Sequence, residues 1–305
     1  MPQSLLASLT MEDNRQPFMP SRVFAGLQPP YSELRSAKVV ILPVPYDSTT
    51  EWRSGTRYGP QSIIDASRYL ELYDLELERE ICKVGIHTLP EVEPMMNSPE
   101  EMVNRVYQTT KKLIKQGKFV VMFGGEHLPT LGTVRAFKEA FPRLSVLQLD
   151  AHADLRDEYL GTKYSHACVM RRIHELCPII QVGIRSLSRE EKQFITENKL
   201  SVFYMPTLTE NKNFEKQMLS SLSDDVYVTI DVDVLDPSIM PAVGTPEPDG
   251  LQWQQVLKII KLTAIHKHIV GFDLMEFCPE GSLPSYAFLL AKLAYKFIGY
   301  IMPSR

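Results

Sequence analysis

Asp150-Ala151-His152-Ala153-Asp154 and Asp231-Val232-Asp233 place five groups that can bind metal or move protons just beyond two apolar runs, Leu144–Leu149 and Val226–Ile230. Both runs read as buried strands, and residues two apart in a strand face the same side. Each string therefore aims its ionisable groups into one place. Acids and imidazoles crowded together without a counter-charge would repel one another and resist desolvation. Divalent metal ions remove that conflict. A dinuclear metal centre is the first expectation, and hydrolysis is the chemistry it suggests.

Further candidates stand at equivalent points along the chain. His127 follows the apolar run Phe119–Phe123 and two glycines, Gly124 and Gly125, which let the backbone turn tightly. A lone histidine there would be a loop or core residue; in register with the other strand ends it becomes a ligand candidate. Asp150, His152 and Asp154 could by themselves be a polar strand end with a helix cap, and Asp231 and Asp233, with Asp236 and Pro237 beyond, a strand end leading into an Asx turn, the role kept for Asp236. The candidate ligands are His127, Asp150, His152, Asp154, Asp231 and Asp233. Four carboxylates and two imidazoles suit a borderline-hard divalent ion better than the thiolate sets of structural zinc, and four negative ligands balance two such ions. His166 opens a helical pattern and could carry a proton to a leaving group or to solvent; alone it would as readily be a capping or core residue. Glu276, after Gly271-Phe272-Asp273-Leu274-Met275, could hold a guanidinium by paired hydrogen bonds. Without context it would be a surface glutamate, and Asp273 could equally be a structural partner.

The elements that position these residues are read from periodicity. Strands are expected at Val39–Val44, Phe119–Phe123, Leu144–Leu149, Ile179–Val182, Val226–Ile230 and His268–Phe272. Helical patterns lie near 60–70, 99–116, 130–140, 164–176, 188–197, 211–222, 252–264 and 284–301. Such alternation predicts a mainly parallel sheet covered by helices on both faces. Ligands collect beyond the carboxyl ends of strands in sheets of this kind, and every polar cluster here falls there. Residues 1–37, interrupted by Pro17, Pro20, Pro29 and Pro30, read as an arm wrapping the surface or a neighbouring subunit. Residues 38–305 read as a single catalytic domain.

Composition narrows the classes. A net charge of −4 over 305 residues, with pI near 6.0, gives no electrostatic reason to expect nucleic acid. Cys82, Cys168, Cys177 and Cys278 lie far apart with no zinc or redox spacing, as expected of reduced thiols in a cytoplasmic protein. No basic-then-apolar leader is evident. The apolar stretch Ala287–Met302 carries Lys292 and Lys296 four apart, which describes an amphipathic helix and no membrane partner.

Taken together, these motifs resemble the ureohydrolases, the arginase–agmatinase family, and most of all its agmatinase branch. Gly124-Gly125-Glu126-His127, Leu149-Asp150-Ala151-His152-Ala153-Asp154, Thr229–Pro237 and Met275-Glu276 carry the resemblance. Gly244–Leu251, Val44-Pro45-Tyr46-Asp47 and Gly55–Pro60 add to it, so that it covers about residues 38–300. It implies a three-layer α/β/α fold and two Mn²⁺ per subunit, with Co²⁺ or Ni²⁺ as alternatives. Asp150 and Asp231 would bridge both ions; His127 and Asp154 would complete one, and His152 and Asp233 the other. A metal-bridging hydroxide would attack a guanidinium carbon and release urea and an amine. By position, His166 is the proton shuttle and Glu276 the guanidinium anchor. The implied reaction is agmatine to putrescine and urea in polyamine synthesis, by a homo-trimer or homo-hexamer. N1-aminopropylagmatine, guanidinobutyrate and guanidine are alternative substrates, and a non-catalytic relative is the rival class. Glu126 and Leu128 stand where the family usually has Asp and Ser. The loop Leu155-Arg156-Asp157-Glu158-Tyr159 lacks the arginase signature, and its acids suit a substrate with a distal amine.

Overall fold

Apolar runs buried along their length form the centre of the molecule, which a computed structural model describes over residues 22–208 and 210–302. In chain order the strands are β1 (Val39–Val44), β2 (Tyr73–Asp74), β3 (Arg79–Glu80), β4 (Ile86–Thr88), β5 (Phe119–Gly124), β6 (Leu144–Leu149), β7 (Ile179–Ile184), β8 (Ser201–Tyr204), β9 (Asp225–Asp231) and β10 (His268–Met275). Eight of them form one parallel sheet in the order β4-β1-β5-β10-β9-β6-β7-β8; β2 and β3 pair as a small antiparallel ribbon. Strands β5, β10, β9 and β6 are consecutive neighbours, and theirs are the ends that carry the candidate chemistry. All six expected strands are present. β1 and β6 have the expected bounds, whereas β10 runs on to Met275. The edge strands β4 and β8 were not expected, because Ile86-His87-Thr88 and the half-buried Ser201–Tyr204 carry no continuous apolar run.

Helices return the chain between strands: α1 (Gly59–Ser67), α2 (Pro99–Lys115), α3 (Thr130–Ala140), α4 (Val169–His174), α5 (Arg189–Asn198), α6 (Met205–Leu208), α7 (Phe214–Ser221), α8 (Trp253–His266) and α9 (Pro284–Ile301). Ser98 caps α2 by accepting from Glu101 N–H, with Pro99 at the first helical position. The helix expected over 164–176 is instead a 3₁₀ turn, His166–Cys168, leading into α4.

Alternate strand residues feed two cores, one on each sheet face. Val39, Ile41, Val121, Phe123, Leu147, Val228 and Phe272 pack with α1, α8 and α9. Val40, Leu42, Val120, Met122, Val146 and Tyr227 pack with α2, α3, α4 and α5. The result is the expected three-layer α/β/α architecture. Residues 1–21 of the expected arm lie outside the described residues; of the rest, Phe24 is fully buried against Phe123, ring centroids 5.6 Å apart. Lys296 of α9 turns inward to Asp74 and Glu76 at 3.0 and 2.8 Å. Among the described residues, no helix is long and apolar enough to cross a membrane.

Candidate metal centre

After β5 the chain turns at Gly125, where a Cβ would come 2.0 Å from the Tyr46 carbonyl oxygen, so only glycine permits the approach. The turn lays the fully buried His127 across the neighbouring strand ends. Its Nδ1 lies 3.3 Å from Asp150 Oδ2, 3.1 Å from Asp154 Oδ2 and 3.5 Å from Asp231 Oδ2. On the far side of the ring, Nε2 sits 2.8 Å from Thr229 Oγ1 of β9. That contact fixes the ring and points Nδ1 at three carboxylates, where it has no well-directed hydrogen-bond partner among the described residues.

Beyond β6, Asp150 Oδ1 accepts the His152 backbone N–H at 2.6 Å, and His152 Nδ1 meets Asp233 Oδ2 at 2.8 Å. Asp233 Oδ1 accepts from Ala151 N–H, and Asp231 Oδ1 accepts from Asp233 N–H, each at 3.0 Å. Two ligand sets result, His127–Asp150–Asp154 and Asp150–His152–Asp233, each with donor atoms within 4.8 Å of one another and sharing Asp150. Strand alternation predicted these convergences, but the backbone reaches them otherwise. Val232–Val234 is a 3₁₀ turn, and Asp154 has φ 54°. A left-handed conformation is costly for a non-glycine residue; here the Asp154 carbonyl is held by the N–H groups of Met170 and Arg171, at 3.0 and 3.2 Å.

No Lys or Arg makes an ion pair with Asp150, Asp154, Asp231, Asp233, Glu126 or Glu276 among the described residues. Burial, reinforced by the neighbouring Asp233 and Asp154, pushes the Asp150 carboxyl up to about 7. Burial with Asp233 and Asp150 also raises Asp231 far above the carboxylate range. His152 goes up to about 11: burial opposes its charge, but Asp233 and Asp150 outweigh that. His127 is raised too, its three carboxylates overcoming full burial. Such a cluster resists carrying its full negative charge without a cation, and hard divalent cations suit its oxygen and imidazole donors.

The cluster forms the floor of a cavity of about 280 Å³, at the lower end of small-ligand sites. Glu276 and His166 also line it, with Glu51, Trp52, Arg156 and Tyr159 nearer the mouth. Glu276 has φ 65°, and its Oε1 accepts the His127 backbone N–H at 2.7 Å. Burial, then the charge of Glu126, raises its carboxyl well above the usual range. Burial lowers His166. Six of the eight residues singled out from the sequence, His152, Asp154, His166, Asp231, Asp233 and Glu276, thus line one cavity, and the fully buried His127 and Asp150 lie directly behind it. Asp273 does not: its Oδ2 accepts from Thr130 and Tyr227 hydroxyls, both at 2.8 Å, in the core. Asp236 makes the expected Asx turn, accepting from Ser238 N–H at 3.0 Å. The expected role of the 155–159 acids in amine recognition finds no footing, because Asp157 pairs with Arg172 at 2.6 Å and neither it nor Glu158 lines the cavity. The rim carboxylate is Glu51, which accepts from Tyr159 OH.

Sequence reading missed the residues behind the cluster. Gln148 Nε2 donates to Asp150 Oδ2 at 2.6 Å, and Gln181 Nε2 donates to Gln148 Oε1 at 2.5 Å. Both are fully buried amides inside apolar strands, a signal that buried polar side chains have partners. Arg185 Nη2 ties the loops together by donating to the carbonyls of Asp233 and Glu247 at 2.7 and 2.9 Å. Glu191 caps α5 with Ser188 and also accepts from Leu155 N–H at 2.8 Å, anchoring the loop after Asp154.

Residues 37–299 match the model of the arginase family. An N(1)-aminopropylagmatine ureohydrolase from Synechocystis is 40% identical, over 87% of this chain and 89% of that protein. An agmatinase from Pyrococcus horikoshii is 34% identical over 88% and 94%, respectively. The crystal structure of the agmatine ureohydrolase of Thermoplasma volcanium superposes with TM-score 0.83 and 33% identity, covering 93% of this chain and 95% of that one.

Proposed function

The chain belongs to the arginase family, and on that premise we propose that it is an agmatinase-like amidinohydrolase, splitting agmatine into putrescine and urea over two divalent metal ions. One observation carries the reading: the ends of β5, β6 and β9 bring four aspartates and two histidines together, with Glu276 at the end of β10 between them, and no Lys or Arg pairs with these acids among the described residues. His127, Asp150, His152, Asp154, Asp231 and Asp233 would hold the ions, with Asp150 and Asp231 shared. The orphaned Nδ1 of His127, facing three carboxylates, fits a cation. When bound, such a pair neutralises the cluster and activates water for attack.

The chain's own groups supply the remainder. Glu276, half-buried in the cavity wall and fixed by His127 N–H, offers a carboxylate to the N–H groups of a guanidinium. Hydrolysis breaks the bond between the guanidinium carbon and the nitrogen bearing the alkyl chain. Oxygen from water ends in urea, and the amine leaves with a proton. His166, kept neutral by burial, is the group placed to hold that proton in transit. The narrow cavity admits a slender chain whose far end lies near Glu51 and Tyr159.

Mn²⁺ is the proposed resident ion, and polyamine synthesis the proposed setting. Four free, buried cysteines support a reducing, cytoplasmic environment. A homo-trimer or homo-hexamer is the proposed assembly, after the family pattern. A second substrate, N1-aminopropylagmatine, is favoured by the relatives of that name, 35–40% identical to this chain. The test is urea release by Mn²⁺-loaded protein across agmatine, N1-aminopropylagmatine, arginine, guanidinobutyrate and guanidine. Preference for agmatine is expected. Preference for aminopropylagmatine moves the reading to the longer amine, and no urea from any of them overturns it.

A further inference from the structure

Thr49 lies between a buried acid and the candidate proton carrier. Glu126, with no exposed surface, grips this one residue twice: Oε2 accepts Thr49 N–H at 2.6 Å and Oε1 accepts its hydroxyl at 2.7 Å. The same hydroxyl oxygen accepts the backbone N–H of His166 at 3.1 Å and stands 3.2 Å from His166 Nδ1. A threonine hydroxyl has one proton and two lone pairs. With Glu126 ionised, the proton goes to its carboxylate and one lone pair to His166 N–H, so the contact with the ring forms with Nδ1 carrying hydrogen and donating. Ser165 Oγ, at 3.4 Å from the same nitrogen, is the weaker neighbour.

We propose that Glu126 and Thr49 are positioning residues that fix the tautomer of His166, holding the proton on Nδ1 and leaving the Nε2 lone pair free. Among the described residues Nε2 has no protein partner. The inference rests on His166 being the proton carrier of the proposed reaction, since a ring with a free Nε2 accepts a proton there and returns it. It also gives the glutamate at position 126 a task. A shorter aspartate, one methylene less, would not span to both Thr49 groups from the same backbone.

The arrangement makes an unusual demand on Glu126→Gln. A glutamine amide can accept Thr49 N–H with its oxygen, but its NH₂ must then donate to the hydroxyl. That frees the hydroxyl proton for His166 Nδ1 and moves the ring proton to Nε2. The experiment is ¹⁵N-histidine NMR of protein loaded with diamagnetic Zn²⁺, using H166N to assign the His166 signals, beside steady-state kinetics and metal analysis. Expected are an Nδ1–H tautomer in the parent and in T49S, and an Nε2–H tautomer in E126Q. In E126Q and T49V kcat should fall about 10–100-fold with KM and metal content near parental values, while T49S restores kcat to within a few-fold. An unchanged tautomer in E126Q overturns the proposal. A fall in kcat that tracks lost metal also overturns it, because Glu126 would then act through the adjacent His127. The tautomer readout needs no substrate, so failure of the functional reading would show separately, as absent urea release in the parent.

Discussion

Two clusters of acid, each with buried members, lie on opposite sides of one fact, whether the chain supplies the counter-charge. Beneath α9, Asp74 and Glu76 meet Lys296 at 3.0 and 2.8 Å, Glu76 also meets Lys261 at 2.6 Å, and the Tyr300 hydroxyl donates to it at 2.7 Å. Those hydrogen bonds, from Lys261 first, then Lys296 and Tyr300, pull the Glu76 carboxyl down to about 2. At the ends of β5, β6, β9 and β10 the acids have no Lys or Arg partner among the described residues, and burial drives Asp150 and Asp231 upward. The first arrangement is complete within the chain and contributes to stability. The second is incomplete, and what would complete it is a cation from outside. Position in the sheet agrees with charge, because only the second cluster opens at the carboxyl ends of parallel strands.

The contrast breaks first at Asp231. Asp231→Asn removes the proposed shared ligand from the incomplete cluster and should cut turnover by more than the roughly 10–100-fold that loss of an outer partner costs a metal site. Circular dichroism should show a folded protein. Near-parental turnover at limiting Mn²⁺ would remove Asp231 from the site. Lys296→Met makes the opposite change, turning the balanced cluster into an unbalanced one with Asp74 buried and unpaired. Denaturant unfolding should show a loss of about 3 kcal/mol, while kcat of the folded protein stays parental because α9 lies outside the cavity. A loss of activity at parental stability would mean the two clusters are not separate.

The smallest effect is in acid. Glu76 has a folded value of about 2 against an ordinary 4.5, so its contribution to stability is present above about pH 4.5 and fades as pH falls toward 2. Glu76→Gln should flatten that part of the stability curve and leave the curve above pH 5 parallel to the parent. An unaltered acid limb would assign the acid sensitivity elsewhere.

How much of this was legible in the sequence follows from the range of the interactions. β1 and β6 were readable with their bounds because both are apolar without interruption, as strands covered on both faces must be. β4 and β8 were not, since edge strands are short and half-covered. The candidate ligands were readable as a cluster because strand ends concentrate them in sequence as well as in space. Their supports were not: Thr49 meets Glu126 from 77 residues away and His166 from 117, distances that no local pattern encodes. Asp157 and Glu158 show the converse error. Their charge suggested a substrate contact, yet one is satisfied by Arg172 on α4 and neither lines the cavity.

Two divalent ions held by the strand-end acids are the core of the proposed function. The most direct measurement is the metal-to-chain ratio, by plasma mass spectrometry, after loading with Mn²⁺ and dialysing away the excess, for the parent and Asp231→Asn. The expected result is two ions per chain in the parent and fewer in the variant. A ratio near zero in the parent, or an equal ratio in both proteins, contradicts the claim.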